Sequence, residues 1–213
     1  MSRSNAIVTS VILYLLWVAA VGSAATTRST AVSCTRFMSS TQAASLMDVT
    51  VANLEFDKVA GHTKWCSWFG FTKSGPVRSV AVKWGPYVDF RKRADGNGKA
   101  VTCAVSAVAC KLLTRAIGEK PNEASFELFQ ASLARVGSAR TLPARAFGGY
   151  LAFAWVPDGR WEEESRLGPT TFAFVYDPHW HSMLAAICGD KDDVPPLSCA
   201  IQTAKIAFAN FHS

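Results

Sequence analysis

The residue types best suited to chemistry gather in Asp177-Pro-His179-Trp-His181, between two apolar runs. Histidines at i and i+2 of an extended chain project to the same side, and a nearby aspartate raises the set to three groups, the number a catalytic zinc takes from protein. Failing that, the third ligand would have to come from His62 or an acidic side chain elsewhere. The segment therefore reads as a polar turn, helped by Pro178, between two strands, and neither a metal nor a cofactor is expected. Asp177, His179 and His181 still stand as the candidates for catalysis, because acid–base groups need not be adjacent in sequence.

Other reactive-looking stretches have plainer readings. Asp95-Gly-Asn97-Gly starts like a calcium loop, but Lys99 and Ser106 occupy positions that need oxygen ligands. Asp190-Lys-Asp192-Asp193 reads as an exposed acidic loop between a strand and a helix. Glu162, Glu163 and Glu164, beside Arg160 and Arg166, read as the solvated tip of a hairpin. No serine lies in a Gly-x-Ser-x-Gly elbow. Of the seven tryptophans, Trp68 combined with Arg91, Lys92 and Arg93 gives the candidate binding surface: an aromatic left outside beside basic groups suits a sugar, lipid or peptide.

Cysteine chemistry points to structure. Cys34, Cys66, Cys103, Cys110, Cys188 and Cys199 make an even set, and their spacings do not match zinc pairs. Three disulfides are expected. Cys188 and Cys199, close in sequence across Pro195 and Pro196, are expected to pair. On a continuous helix, Cys103 and Cys110 would stand roughly 10 Å apart at Cα, beyond the limit of about 7 Å for a bridge. Those two are therefore expected to pair with Cys34 and Cys66, in either order.

The elements that must position these groups follow from periodicity. Ser40 and Thr41 open a short helix reaching about Val51. Lys64–Phe71 and Ser79–Trp84 read as strands of a hairpin around Ser74-Gly75-Pro76. Lys99–Gly118 reads as one helix, with Val101, Val105, Val108 and Leu112 on a single stripe. Pro121 opens a further helix over Asn122–Val136. Gly148–Val156, Thr170–Tyr176 and His181–Cys188 read as three strands, and Leu197–Phe211 as a final helix. This order predicts an α+β domain: about five strands in a meandering antiparallel sheet with helices packed on it, as two helix–strand–strand halves stapled by disulfides.

Arg3 followed by the apolar run from Ile7 and the small residues Gly22–Ala25 is the pattern of a cleaved secretory signal, with cleavage near Ala24. The rival is an uncleaved N-terminal anchor, since ~20 apolar residues span a bilayer. The expected organisation is a signal at 1–24, a leader at 25–33 and a single extracytoplasmic domain at 34–213. A formal net charge of +6 favours anionic partners such as lipid headgroups or envelope polymers. It is too diffuse to suggest nucleic acid, and membrane contact is expected only during export. The functional expectation is a secreted or periplasmic protein that binds an unknown anionic envelope component or another protein, or that has a structural role there. The alternative is an extracytoplasmic hydrolase built around His179 and His181.

Overall fold

The computed structural model describes residues 34–51, 54–59, 64–72, 75–86, 97–120, 122–165, 168–179, 182–190 and 193–212. The expected signal and leader lie outside them. The fold is α+β, with seven strands in one antiparallel sheet of order β1-β2-β3-β7-β6-β5-β4. The strands are β1 (Leu54–Val59), β2 (Lys64–Thr72), β3 (Gly75–Pro86), β4 (Gly137–Thr141), β5 (Ala152–Pro157), β6 (Thr170–Asp177) and β7 (Ser182–Asp190). Two meanders, β1–β3 and β4–β7, meet where β3 runs beside β7, in register from Arg78↔Asp190 to Pro86↔Ser182.

Side-chain alternation gives the central strands two buried faces, as in a sheet covered on both sides. Val80, Val82 and Trp84 of β3 share one face with Cys188, Ala186 and Leu184, their register partners on β7. That face is covered by α1 (Ser40–Met47) and α6 (Leu197–His212), through Ala43, Met47, Ala200, Ala204, Ala207 and Phe208. The opposite face is aromatic, with Phe153, Trp155, Phe172, Phe174 and Tyr176. Against it lie α2 (Asn97–Val105), α4 (Glu123–Leu133) and α5 (Gly159–Ser165), through Val101, Phe126, Leu133 and Trp161. Phe153 and Phe174 are register partners, and their ring centroids are 4.9 Å apart. Such a pair contributes about 0.5–1.5 kcal/mol beyond its buried area.

Local signals fix the helix starts. Ser39 caps α1 in a capping box with Gln42, and Asn122 caps α4 in another with Ser125. Asp158 accepts the Trp161 amide at 2.8 Å, which starts α5. The Arg160–Arg166 region is therefore helical over Gly159–Ser165, not a hairpin tip. A carboxylate placed to cap, followed by three glutamates of good helix propensity, outweighs the turn suggested by Pro157-Asp158-Gly159.

The largest departure from expectation lies between residues 97 and 118. Instead of one helix there are two, α2 and α3 (Ala107–Gly118), separated by Ser106 in an extended conformation (φ −149°, ψ 115°). Cys103 and Cys110 are bridged across the break, with Cα atoms 4.4 Å apart. The expectation that they could not pair fails because it assumed an unbroken helix. The break also shifts the buried stripe of α3 by one position, to Ala109, Leu113 and Ala116, leaving Val108 exposed at 56%. Cys34 and Cys66 consequently pair with each other, at a Cα separation of 5.7 Å. Cys188 and Cys199 pair as expected, at 6.1 Å.

Candidate functional site

Asp177 is the last residue of β6 and is fully buried. One carboxylate oxygen accepts the backbone N–H of His179 at 2.9 Å, which folds the turn after β6 as an aspartate-headed turn. The other lies 3.6 Å from Nε2 of His212, in the last turn of α6. The histidine that Asp177 meets is thus not one of its sequence neighbours. His179 is exposed in the turn, and His181 and His62 lie outside the described residues.

His212 sits within a cluster of rings. Its centroid is 4.2 Å from Phe208, 5.4 Å from Phe211, 5.7 Å from Tyr150 and 6.3 Å from Trp84. These residues come from α6, from the segment before β5 and from the end of β3, so three separate parts of the chain converge there. Tyr150 in turn stands 6.1 Å from the His179 ring, and the Arg36 guanidinium lies over Phe211 at 5.4 Å. Trp84 and Phe208 are buried, Tyr150 and Phe211 are half-buried, and Arg36 and His179 are exposed. The result is a continuous aromatic rim, Phe211–His212–Tyr150, with a basic group at one end and an exposed histidine at the other. Neighbouring rings are inclined at 82° and 38°, so the rim presents ring edges and faces in alternation and offers no flat slab.

Asparagine at position 210 anchors this corner. Its amide donates to the Phe37 carbonyl at 3.0 Å and to Gln42 Oε1 at 3.3 Å, tying α6 to the N-terminal segment. The stacked Phe37 and Phe211 rings, 5.7 Å apart, reinforce the contact.

The remaining expected site residues fall elsewhere. Trp68 is 2% exposed and packed in the core beside Cys66, so it offers no surface. Its position in β2 puts it on the face that α1 covers. Arg91, Lys92 and Arg93 lie outside the described residues, as do Asp95 and Asp192. Asp190 ends β7, where its carboxylate accepts from Arg78 Nε at 3.1 Å, while Arg78 Nη1 donates to the Met47 carbonyl. Among the described residues no three histidine, cysteine or carboxylate side chains form a group that could hold a metal ion. Among the same residues no helix is long and apolar enough to cross a membrane. Sequence reasoning missed His212, Tyr150 and Phe211. His212 did carry one signal, its place one residue past the apolar stripe of the last helix. Comparison with protein-family models, with curated proteins and with solved structures finds no match.

Proposed function

We propose that this chain is an exported binding protein of an oxidising compartment, and that its contact surface is the rim Arg36–Phe211–His212–Tyr150–His179. The observation that carries this reading is the half-exposed run of rings flanked by basic groups, set over a rigid corner. Aromatic edges and faces pack against the C–H surfaces of sugars, the Arg36 guanidinium at one end matches acidic groups, and the His179 ring at the other offers a hydrogen-bonding partner. An acidic glycan of the cell envelope combines both features and agrees with the positive net charge. Three disulfides fit a compartment where such bonds persist, and the Arg3-led apolar run would bring the chain there.

Calorimetric titration of the oxidised protein with an acidic polysaccharide and with a neutral one tests the proposal. Binding is expected for the acidic polymer, with weaker affinity at high salt. Phe211→Ala and Tyr150→Ala should each weaken it by about tenfold, in line with the loss of one buried contact residue. Equal binding of the neutral polymer, or wild-type affinity in both variants, would overturn it.

One observation favours a second reading, an extracytoplasmic hydrolase. A histidine beside a buried carboxylate, with a tyrosine hydroxyl-bearing ring adjacent, is the arrangement that orients an imidazole for proton transfer. Turnover of chromogenic esters or glycosides that disappears in His212→Ala would support that reading over the first.

A further inference from the structure

We propose that the Cys103–Cys110 bridge is a site of thiol–disulfide exchange, and that its reduction joins α2 and α3 into one continuous helix. Sharp breaks in helices are ordinarily caused by proline, by glycine or by an inserted group. The stretch Ala100-Val-Thr-Cys-Ala-Val-Ser-Ala-Val-Ala-Cys-Lys-Leu-Leu113 contains neither proline nor glycine. Both helices are regular up to the break: the Ser106 N–H donates to the Thr102 carbonyl at 3.0 Å, and the Cys110 N–H to the Ser106 carbonyl at 2.9 Å. Only Ser106 leaves helical geometry, and its hydroxyl takes the Ala109 amide at 3.2 Å. A rotation about one residue separates the two forms. In a straight helix the amides of Ala107, Val108 and Ala109 would donate to the carbonyls of Cys103, Ala104 and Val105, while the Cα atoms of the two cysteines would part to roughly 10 Å. The bridge at 4.4 Å forbids that form.

Two further features single out this bridge. Cys103 and Cys110 are both partly exposed, whereas each other bridge has a buried member: Cys34 and Cys66 at 5% and 1%, and Cys188, the partner of the partly exposed Cys199, at 1%. Cys110 also lies near the N-terminus of α3, where the helix dipole favours a departing thiolate. The co-reactant is a dithiol, either small or on a protein. Its thiolate forms a bond to Cys103 Sγ, and the Cys103–Cys110 bond breaks with its electron pair leaving on Cys110 Sγ. The second thiol of the reductant then displaces Cys103, and the reductant departs as its own disulfide. Two electrons have moved to the protein, and two protons complete the two thiols.

The experiment uses the oxidised full chain with graded dithiothreitol, quenched by alkylation and read by mass spectrometry of the modified cysteines. Cys103 and Cys110 should be alkylated at least about tenfold faster than the other four, as expected for the accessible bridge. At the point where only that bridge is open, the Ser106 Cα and Cβ chemical shifts should move from extended to helical values. The double variant Cys103→Ser/Cys110→Ser should show the helical shifts without reductant. If that variant fails to fold, the singly reduced wild type decides the matter. Opening of the other bridges first, or simultaneous loss of all three, overturns the exchange site. Ser106 shifts that stay extended after selective opening overturn the helix fusion.

Discussion

Asp177 and Gly137 show what single positions contribute. A carboxylate with no exposed surface is expensive unless it is satisfied, and here it accepts an amide at 2.9 Å and faces an imidazole. Its placement shapes the turn that presents His179 beside Tyr150 and positions His212 at the centre of the rim. Gly137 plays a quieter part at the start of β4. A Cβ added there would collide with the Val156 carbonyl oxygen and with Nε1 of Trp155, a residue packed in the aromatic core. Backbone on one side and a buried indole on the other leave no room to give. Gly137→Ala is therefore expected to destabilise the fold by about 1–3 kcal/mol, the usual cost of overpacking. Urea unfolding followed by tryptophan fluorescence will read this as a lower midpoint with an unchanged slope. An unchanged midpoint would show that β4 can move aside.

At the scale of elements, caps decide where helices begin, and bridges and breaks decide where they point. The Asn122 side chain accepts the Ser125 amide at 2.7 Å, and the Ser125 hydroxyl accepts the Asn122 amide at 3.1 Å. This reciprocal pair starts α4, which carries Phe126 and Phe129 onto the aromatic face. Asn122→Ala should cost about 1 kcal/mol, the common value for a lost N-cap. Amide exchange in the first turn of α4 should accelerate while exchange in β6 and β7 is unchanged. Uniform acceleration across the sheet would instead mean that α4 is indispensable to the whole core. Ser106 caps α3 in the same way, its hydroxyl accepting the Ala109 amide at 3.2 Å.

The whole molecule depends on the β3–β7 seam, where the two meanders become one sheet. Arg78 spans it, holding Asp190 on β7 and the Met47 carbonyl at the end of α1. The Cys188–Cys199 bridge fastens the end of β7 to the first turn of α6, the helix whose last turn carries Phe211 and His212. Closing a loop over a sequence separation of 11 should contribute about 2–4 kcal/mol. The double variant Cys188→Ser/Cys199→Ser is expected to lose that stability and to weaken ligand binding at the rim as well, because α6 supplies His212 and Phe211. Paired denaturation and titration experiments measure both effects. Loss of stability with full binding affinity would show that the rim keeps its shape without the bridge.

The amino-acid sequence by itself determined the class of fold, the hairpin β2–β3, the strands β6 and β7, the final helix and the Cys188–Cys199 pair. All of these rest on local periodicity, turn residues or short loops, which act over a few positions. Two strands were not legible. Leu54–Val59 and Gly137–Thr141 are short segments at the two sheet edges, where pairing to a neighbour outweighs a weak apolar pattern. Only the tertiary structure decided the rest. The break at Ser106 is spanned by a bond between two side chains, which no helical periodicity records. The candidate site moved for the same reason. Asp177 was visible as a reactive group, but its partner is 35 positions away at the end of another element, and the rings around that partner come from α6, β3 and the approach to β5. Convergence of distant elements is fixed by packing across the sheet, and a pattern read along the chain does not contain it.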